Sequence, residues 1–500
     1  MIENTNKSIV VNSLIMTIRL AIVTICGLLT TRFALQALGI TDFGLFALIG
    51  SIITFASVFN QIMLNTSNRF ISVAIGKGDE HEINVQFNIN LLIHVGIAIC
   101  TLILGLPFGH WYILHFVNFD GDIQHALMVY DYSLIGSVIS FIGVPYNGLL
   151  IAKEKFIIFS SADVITHIFK TAVAFSLLYY FADKLMVYAL SQCILTAAPT
   201  ILYIVYCKRH YPSAVSPRLV RDRQRYKEVF SFSSWVAFGA FITIGQTQGA
   251  ALIVNMFFNT VMNAALGIAN TINMLVTQFS YNISQPIAPQ ITKSYAAGDL
   301  RRCEELLIMS TKFTYLAMLF VAAPFLVDSH WILSVWLSKV PPFSVSFTIL
   351  VVVNTLVFSL NSGIGNIIFA SGKIALYQIL NNTLRALSVI IAFIILHNGC
   401  QATAIFYVYI ASSALILFAN QWVLRKELKF NTAVLFWHSY LPSIIVTVCF
   451  LPVCFIRWEG LPLLHLIVTM LYLTLLIGFF GLSRKERSGV VRMITERIKK

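Results

Sequence analysis

Arg19 lies midway along the first apolar run of the chain, where charge is costly. A charged side chain at the centre of a membrane helix costs about 2.5–3.5 kcal/mol on insertion scales, so it faces a cavity or a partner. Asn12, Cys26, Gly27 and Thr30 share its helical spacing and give one polar, small-residue face. The planar guanidinium fork makes two charge-assisted hydrogen bonds to a carboxylate or a phosphate. Two readings follow. Arg19 holds an anionic ligand, or it pairs with a carboxylate or backbone carbonyls between helices.

Asp163, His167 and Lys170 fall at i, i+4 and i+7 on one helical face, and Gln378, Asn381 and Arg385 line a comparable face later in the chain. Either these are internal polar networks, with Asp163 compensating Lys170, or both faces line a cavity. In the second case Lys170 and Arg385 hold an anionic group and Asp163 or His167 takes part in ion coupling, with Asp131 as a further carboxylate for that role. Asn263, Asn270, Asn273, Thr277, Tyr281 and Ser284 form a neutral hydrogen-bonding face, and Gln248 and Asn255 add two amides seven residues apart. Amide and aromatic groups suit sugar hydroxyls, which need many neutral donors and acceptors; the competing role is glue between helices, about 0.6 kcal/mol per bond. Lys312, two turns into its helix, is expected to snorkel to the interface.

The elements that carry these residues are membrane helices. The chain has 500 residues, 58% hydrophobic and 11% charged, with mean hydropathy +0.81. A soluble domain has about 25% charged residues. The fold class expected is therefore all-α and polytopic, with roughly fourteen apolar segments of spanning length. They begin near Val10, Phe43, Asn88, His125, Ile157, Lys184, Phe230, Met262, Glu305, Ser344, Leu376, Gln401, Tyr440 and Leu461. The net charge of +13 sits in short loops and the tail, the pattern of a membrane topology signal rather than of nucleic-acid binding. About 26 of the Lys and Arg fall on one side by this reading, which places both termini and the basic Lys208–Lys227 linker in the cytoplasm.

Eight cysteines show neither a CxxC pair nor a disulfide framework, so no metal is expected. Arg19 interrupts the first apolar run and no small-residue cleavage site closes it, so that run reads as a span and not a signal peptide. No GxxxxGK[ST] loop and no nucleophile or carboxylate-pair constellation appears. A cofactor, ATP-driven chemistry and an enzyme are not expected.

The chain repeats itself. At a shift of about 220 residues, Gly78-Asp79 falls on Gly298-Asp299 and His110-Trp111 on His330-Trp331; at about 218, Lys155 falls on Lys373 and Lys208 on Lys426. The stretch PIAPQITKSYAAGD, Pro286 to Asp299, then reads as a lobe hinge echoed at Arg69 to Asp79. Two parallel six-helix lobes, residues 1–215 and 216–430, are followed by two extra helices over 431–483 and a basic tail over 484–500. Parallel repeats of this kind are a transporter architecture with the substrate site between the lobes.

LQALGITDFGLFAL (Leu35 to Leu48), PQITKSYAAGD (Pro289 to Asp299), NIIFASGKIALYQ (Asn366 to Gln378) and WLSKVPPF (Trp336 to Phe343) resemble, in order and spacing, bacterial polysaccharide flippases of the multidrug/oligosaccharidyl-lipid/polysaccharide exporter superfamily. The resemblance implies an inner-membrane transporter that turns a polyprenyl-pyrophosphate-linked oligosaccharide between leaflets for surface polysaccharide or lipopolysaccharide synthesis. Its implied partners are that lipid-linked substrate, membrane lipids and polysaccharide polymerase or export proteins. Arg19, Lys170 and Arg385 would then meet pyrophosphate, and Gln248, Asn255, Asn270 and Asn273 the glycan. The main rival is a multidrug/cation antiporter of the same superfamily. A non-transporting component of polysaccharide assembly is a third reading.

Overall fold

The computed structural model describes the backbone of residues 2–488 except 77, 78, 120, 154, 285, 286, 288, 289, 292, 293, 296, 338, 457–459 and 485, and side chains except those of 2–17, 55–70, 72, 73, 76, 156, 230–240 and 279–284 as well. The described chain is mostly helix joined by short turns, and no strand occurs among the described residues. Ten described helices are long and apolar enough to cross a membrane, or eleven if one bent pair counts as a span. The second and seventh expected spans rest partly on side chains outside the described set, and the eighth is diluted by its amides. The protein is thus an all-α polytopic membrane protein. Large apolar side chains such as Leu104 and Phe418 project outward, as a hydrocarbon solvent allows.

Two compact units divide the chain: residues 1–264 with 337–341, and residues 265–336 with 342–500. The first contains α1 (Ile2–Gly76), α2 (Glu80–Phe116), α3 (Ile123–Ala152), α4 (Phe156–Ser176), α5 (Lys184–His210), the single turn α6 (Pro212–Val215), α7 (Arg223–Phe257) and the first turn of α8 (Thr260–Ser284). Two helices run on through α1 and part at Gly39, whose φ of 79° lies in the left-handed region that only glycine enters cheaply. α1 packs against α3, α4 and α7, and α3 against α5. Leu45, Ile49, Tyr130 and Leu134 centre one apolar cluster of this unit, and Phe87, Tyr146 and Leu149 another.

The second unit holds the rest of α8, then α9 (Leu300–Val327), α10 (Ser329–Trp336), α11 (Ser344–Ser359), α12 (Ile364–Ser371), α13 (Ile374–His397), α14 (Ala404–Leu428), α15 (Thr432–Leu435), α16 (Leu441–Phe450) and α17 (Pro462–Leu476). α11 and α12 form the bent pair, turned by 42°. Gly363 at the break has φ 84°, and Asn361 and Ser362 leave the helix there. Leu319, Val352, Val446 and Leu473 bring α9, α11, α16 and α17 into one core.

Positions that match at a shift of about 220 residues start helices in the same way. The first N–H groups of a helix have no intrahelical acceptor and seek a side chain. Asp79 accepts from the Glu82 N–H at 3.1 Å to start α2, and Asp299 accepts from the Arg302 N–H at 2.9 Å to start α9. α4 begins after Lys155 (φ −83°, ψ 52°) and α13 after Lys373 (φ −87°, ψ 56°). Pro286, Pro289 and Lys293 of the expected hinge lie outside the described residues, as does Arg69's side chain; Gly298 turns with φ 76° into the Asp299 cap.

Candidate functional site

In the first unit, α1 and α4 bring Arg19, Asp163 and His167 together. Arg19 Nε donates to Asp163 Oδ2 at 2.7 Å, and its Nη2 lies 2.7 Å from the same oxygen. The guanidinium also rests 4.5 Å from the centre of the Phe159 ring. His167 Nδ1 is 2.9 Å from the Asp163 carbonyl and 3.5 Å from Oδ1. Both oxygens accept, so Nδ1 carries a proton. Thr171 fixes the register of α4 on α1 through the Cys26 carbonyl at 3.1 Å and the Thr30 hydroxyl at 2.8 Å. Arg19 and Asp163 are each about a quarter exposed, 25% and 23%, so the pair borders open space.

Asp163 therefore compensates Arg19, not Lys170 as one reading of the helix face has it. Lys170 donates to Thr196 Oγ1 on α5 at 3.3 Å. Asp131 is apart from this cluster and pairs with His110 Nε2 at 2.7 Å. Asn255 is fully buried and accepts from the Asn118 N–H at 3.0 Å, so it holds the α2–α3 loop against α7. Gln248 lies half-buried on the same helix.

In the second unit the neutral amides behave differently. Asn270 is exposed on α8, whereas Asn273 Oδ1 accepts a hydrogen bond from Thr355 of α11. Arg385 stands over the Phe358 ring at 5.0 Å. Where the first unit has Arg19–Asp163–His167, the second has a buried amide chain. Asn381 donates to Asn420 at 2.8 Å, and Asn420 donates to Asn361 at the α11–α12 break at 2.7 Å. Thr311 steadies the same break through the Ser362 carbonyl at 2.9 Å.

Three arrangements escape the sequence reading. Lys312 does not snorkel: it is buried and donates to Glu486 Oε2 at 2.7 Å. His465 of α17, also buried, meets Asp328 Oδ2 at 2.7 Å. The linker after α6 is clamped to α2. The Asn84 amide donates to the carbonyls of Ser213, Ala214 and Ser216 at 2.9–3.1 Å, and Asn88 donates to Ser216 and accepts from the Arg218 N–H. Two amides four residues apart at the start of an apolar helix are the only sequence sign of this clamp.

The fold is one seen in solved membrane transporters and flippases. An inward-facing multidrug resistance MATE family transporter of the MOP superfamily aligns with a TM-score of 0.68 and 12% identity, covering 83% of this chain and 98% of that one. The lipid II flippase MurJ in an inward closed conformation aligns at 0.69 and 12%, covering 94% and 98%. The MATE multidrug transporter DinF-BH aligns at 0.60 and 15%, covering 86% and 96%. No family model and no curated protein matches the chain.

Proposed function

We propose that the protein is an alternating-access transporter, not an enzyme, that flips a polyprenyl-pyrophosphate-linked oligosaccharide across the bacterial inner membrane for surface polysaccharide synthesis. The observation that carries this reading is a surplus of fixed positive charge in the α1–α4–α5 region. Among the described residues Arg19 and Lys170 are met there by one carboxylate, Asp163, and Arg19 takes it. A pyrophosphate can share the Arg19 fork and draw on Lys170, since guanidinium and ammonium groups favour such oxyanions. Taken by itself, the second unit offers Arg385 as a cation on α13 and the exposed Asn270 as a neutral group, and the first offers the half-buried Gln248. A polysaccharide polymerase or export component would take the product.

The multidrug/cation antiporter is the second reading, and the observation in its favour is Asp163 itself. A carboxylate held between Arg19 and His167 can exchange partners when a proton or cation arrives.

Export and stability separate at α8. Asn270→Leu with Asn273→Leu is expected to make cells accumulate lipid-linked oligosaccharide at least several-fold while the protein stays inserted and abundant. Abundance falling in step with activity would leave the amides a packing role alone, through Asn273 and Thr355. A dye-efflux defect with normal surface glycan would favour the antiporter.

Orientation follows from the placement of the cations. Both termini and the linker are read as cytoplasmic. A reporter fused after Lys500 should read inside and one at Phe119 outside; the opposite pair of readings would reverse the assignment.

A further inference from the structure

We infer that the first unit binds an anionic phospholipid in an apolar groove between α1, α2, α3 and α7, with its phosphate at a cationic rim made by the clamped linker. The groove has a volume of about 1260 Å³. Pockets for drug-sized ligands run to roughly 300–1,000 Å³. Ile97 and Leu104 of α2, Leu134 of α3 and Phe241 of α7 are among its walls. Three tyrosines also face it, but their hydroxyls are already engaged with backbone carbonyls: Tyr112 with Leu252 at 3.4 Å, Tyr130 with Gly105 at 2.7 Å and Tyr226 with Val220 at 3.1 Å. Only their rings are left to the groove, which suits hydrocarbon and not a sugar or a free phosphate.

The groove is long and open on one side. Its α2 wall runs from Leu92 to Tyr112, about 30 Å at 1.5 Å per residue, the length of the hydrocarbon core. Leu92, Leu104 and Phe108 on that wall are exposed, so a chain can enter sideways from the bilayer.

The rim is where the source of the lipid is read. Tyr226 lines the groove at the start of α7 and packs with Val85, Ile89 and Val229. The Asn84 and Asn88 clamp fixes the linker beside it, and Arg225 is bound to Glu82 at 2.7 Å. Arg221, Arg223 and Lys227 remain exposed, and no carboxylate pairs with them among the described residues. Leu219 projects next to them. Exposed cations beside the point where Tyr226 reaches the groove match the anionic lipids of the leaflet they face, each worth about five-fold in affinity near the surface. No described residue of α4, which carries Asp163 and Lys170, is among these walls. A bulk phospholipid, and not the transported substrate, is therefore the occupant.

The test uses the purified full-length protein in detergent, with phosphatidylglycerol or phosphatidylcholine added in mixed micelles and bound lipid counted by native mass spectrometry. Phosphatidylglycerol should be retained at least ten-fold better than phosphatidylcholine. Arg221→Gln with Arg223→Gln should remove most of that preference, a loss of up to about 25-fold. Gly96→Leu should remove retention of both lipids, because Gly96 lines the groove and a Cβ there meets open space, into which the leucine would project. Both variants should unfold at the wild-type temperature in lipid-free detergent; the surface arginine pair tests the idea even if Gly96→Leu folds poorly. Equal retention of the two phospholipids, unchanged retention in the arginine variant, or displacement of phosphatidylglycerol by equimolar undecaprenyl phosphate would each overturn it.

Discussion

Cells carrying Arg19→Ala are expected to lose surface glycan almost completely and to accumulate the lipid-linked oligosaccharide. Two causes contribute and can be separated. Removing Arg19 strands Asp163, which is mostly buried and has lost its 2.7 Å partner. Breaking a buried pair from one side costs on the order of 3 kcal/mol. It also removes the bidentate fork that pyrophosphate would use. Asp163→Asn added to Arg19→Ala relieves the stranded carboxylate and should restore protein abundance. If Arg19 serves only to balance Asp163, the double variant exports normally and the anionic-substrate reading loses its main support. If Arg19 holds substrate, the double variant is abundant and still inactive. Arg19→Lys should fall between, since it keeps the charge but not the fork.

Glu486→Ala is expected to destabilise the second unit by about 3 kcal/mol, because it leaves the Lys312 ammonium buried without its carboxylate. Lys312 is only 4% exposed at its side chain. Replacing both partners, Lys312→Met with Glu486→Gln, should recover most of the loss, as apolar or neutral substitutes for a buried pair often do. The same pair gives a pH dependence. Burial works to raise the Glu486 pKa, but hydrogen bonds from Lys312 and Ser483 and the Lys312 charge outweigh it and hold the carboxyl below its ordinary 4.5. The unfolded chain then takes up the proton first as pH falls. The contribution is whole above about pH 4.5 and is lost as pH drops through the lowered folded value. Thermal unfolding in detergent from pH 7 to pH 3 reads this directly. A wild-type melting temperature for Glu486→Ala would mean that Lys312 reaches headgroup water on its own.

The helical architecture is legible because it rests on local signals. Apolar runs mark spans, and Asp79 and Asp299 announce helix starts by being the kind of residue that accepts from free N–H groups. That Arg19 needs a partner is equally legible. Which partner it takes is not, since Asp163 lies 144 positions away. Within its own helix Asp163 shares a face with Lys170, which makes that pairing look natural on paper. At i+7 the two are about 10 Å apart along the axis, too far for an ion pair, while Arg19 arrives from α1 at contact distance. Lys312 departs from the snorkelling expectation for the same reason: the tail returns a carboxylate from 174 residues downstream. Asn84 and Asn88 resemble solvated residues at a helix entrance because their acceptors are backbone carbonyls, which carry no sequence signature.

The clamp changes what the linker is as a piece of chain. From Tyr211 to Asp222 it looks like a dozen residues of slack between α5 and α7. Asn84 and Asn88 hold it as far as Arg218, and α7 begins at Arg223. The length left to act as a tether is residues 219–222, which fully extended reach only about 14 Å. Lengthening the chain before Ser216 would leave that reach unchanged, whereas the same insertion after Arg218 would leave α7 held to α2 only by its own contacts, Arg225 on Glu82 and Tyr226 on Val85 and Ile89. In mechanical terms the segment is a bracket with a short strap at one end.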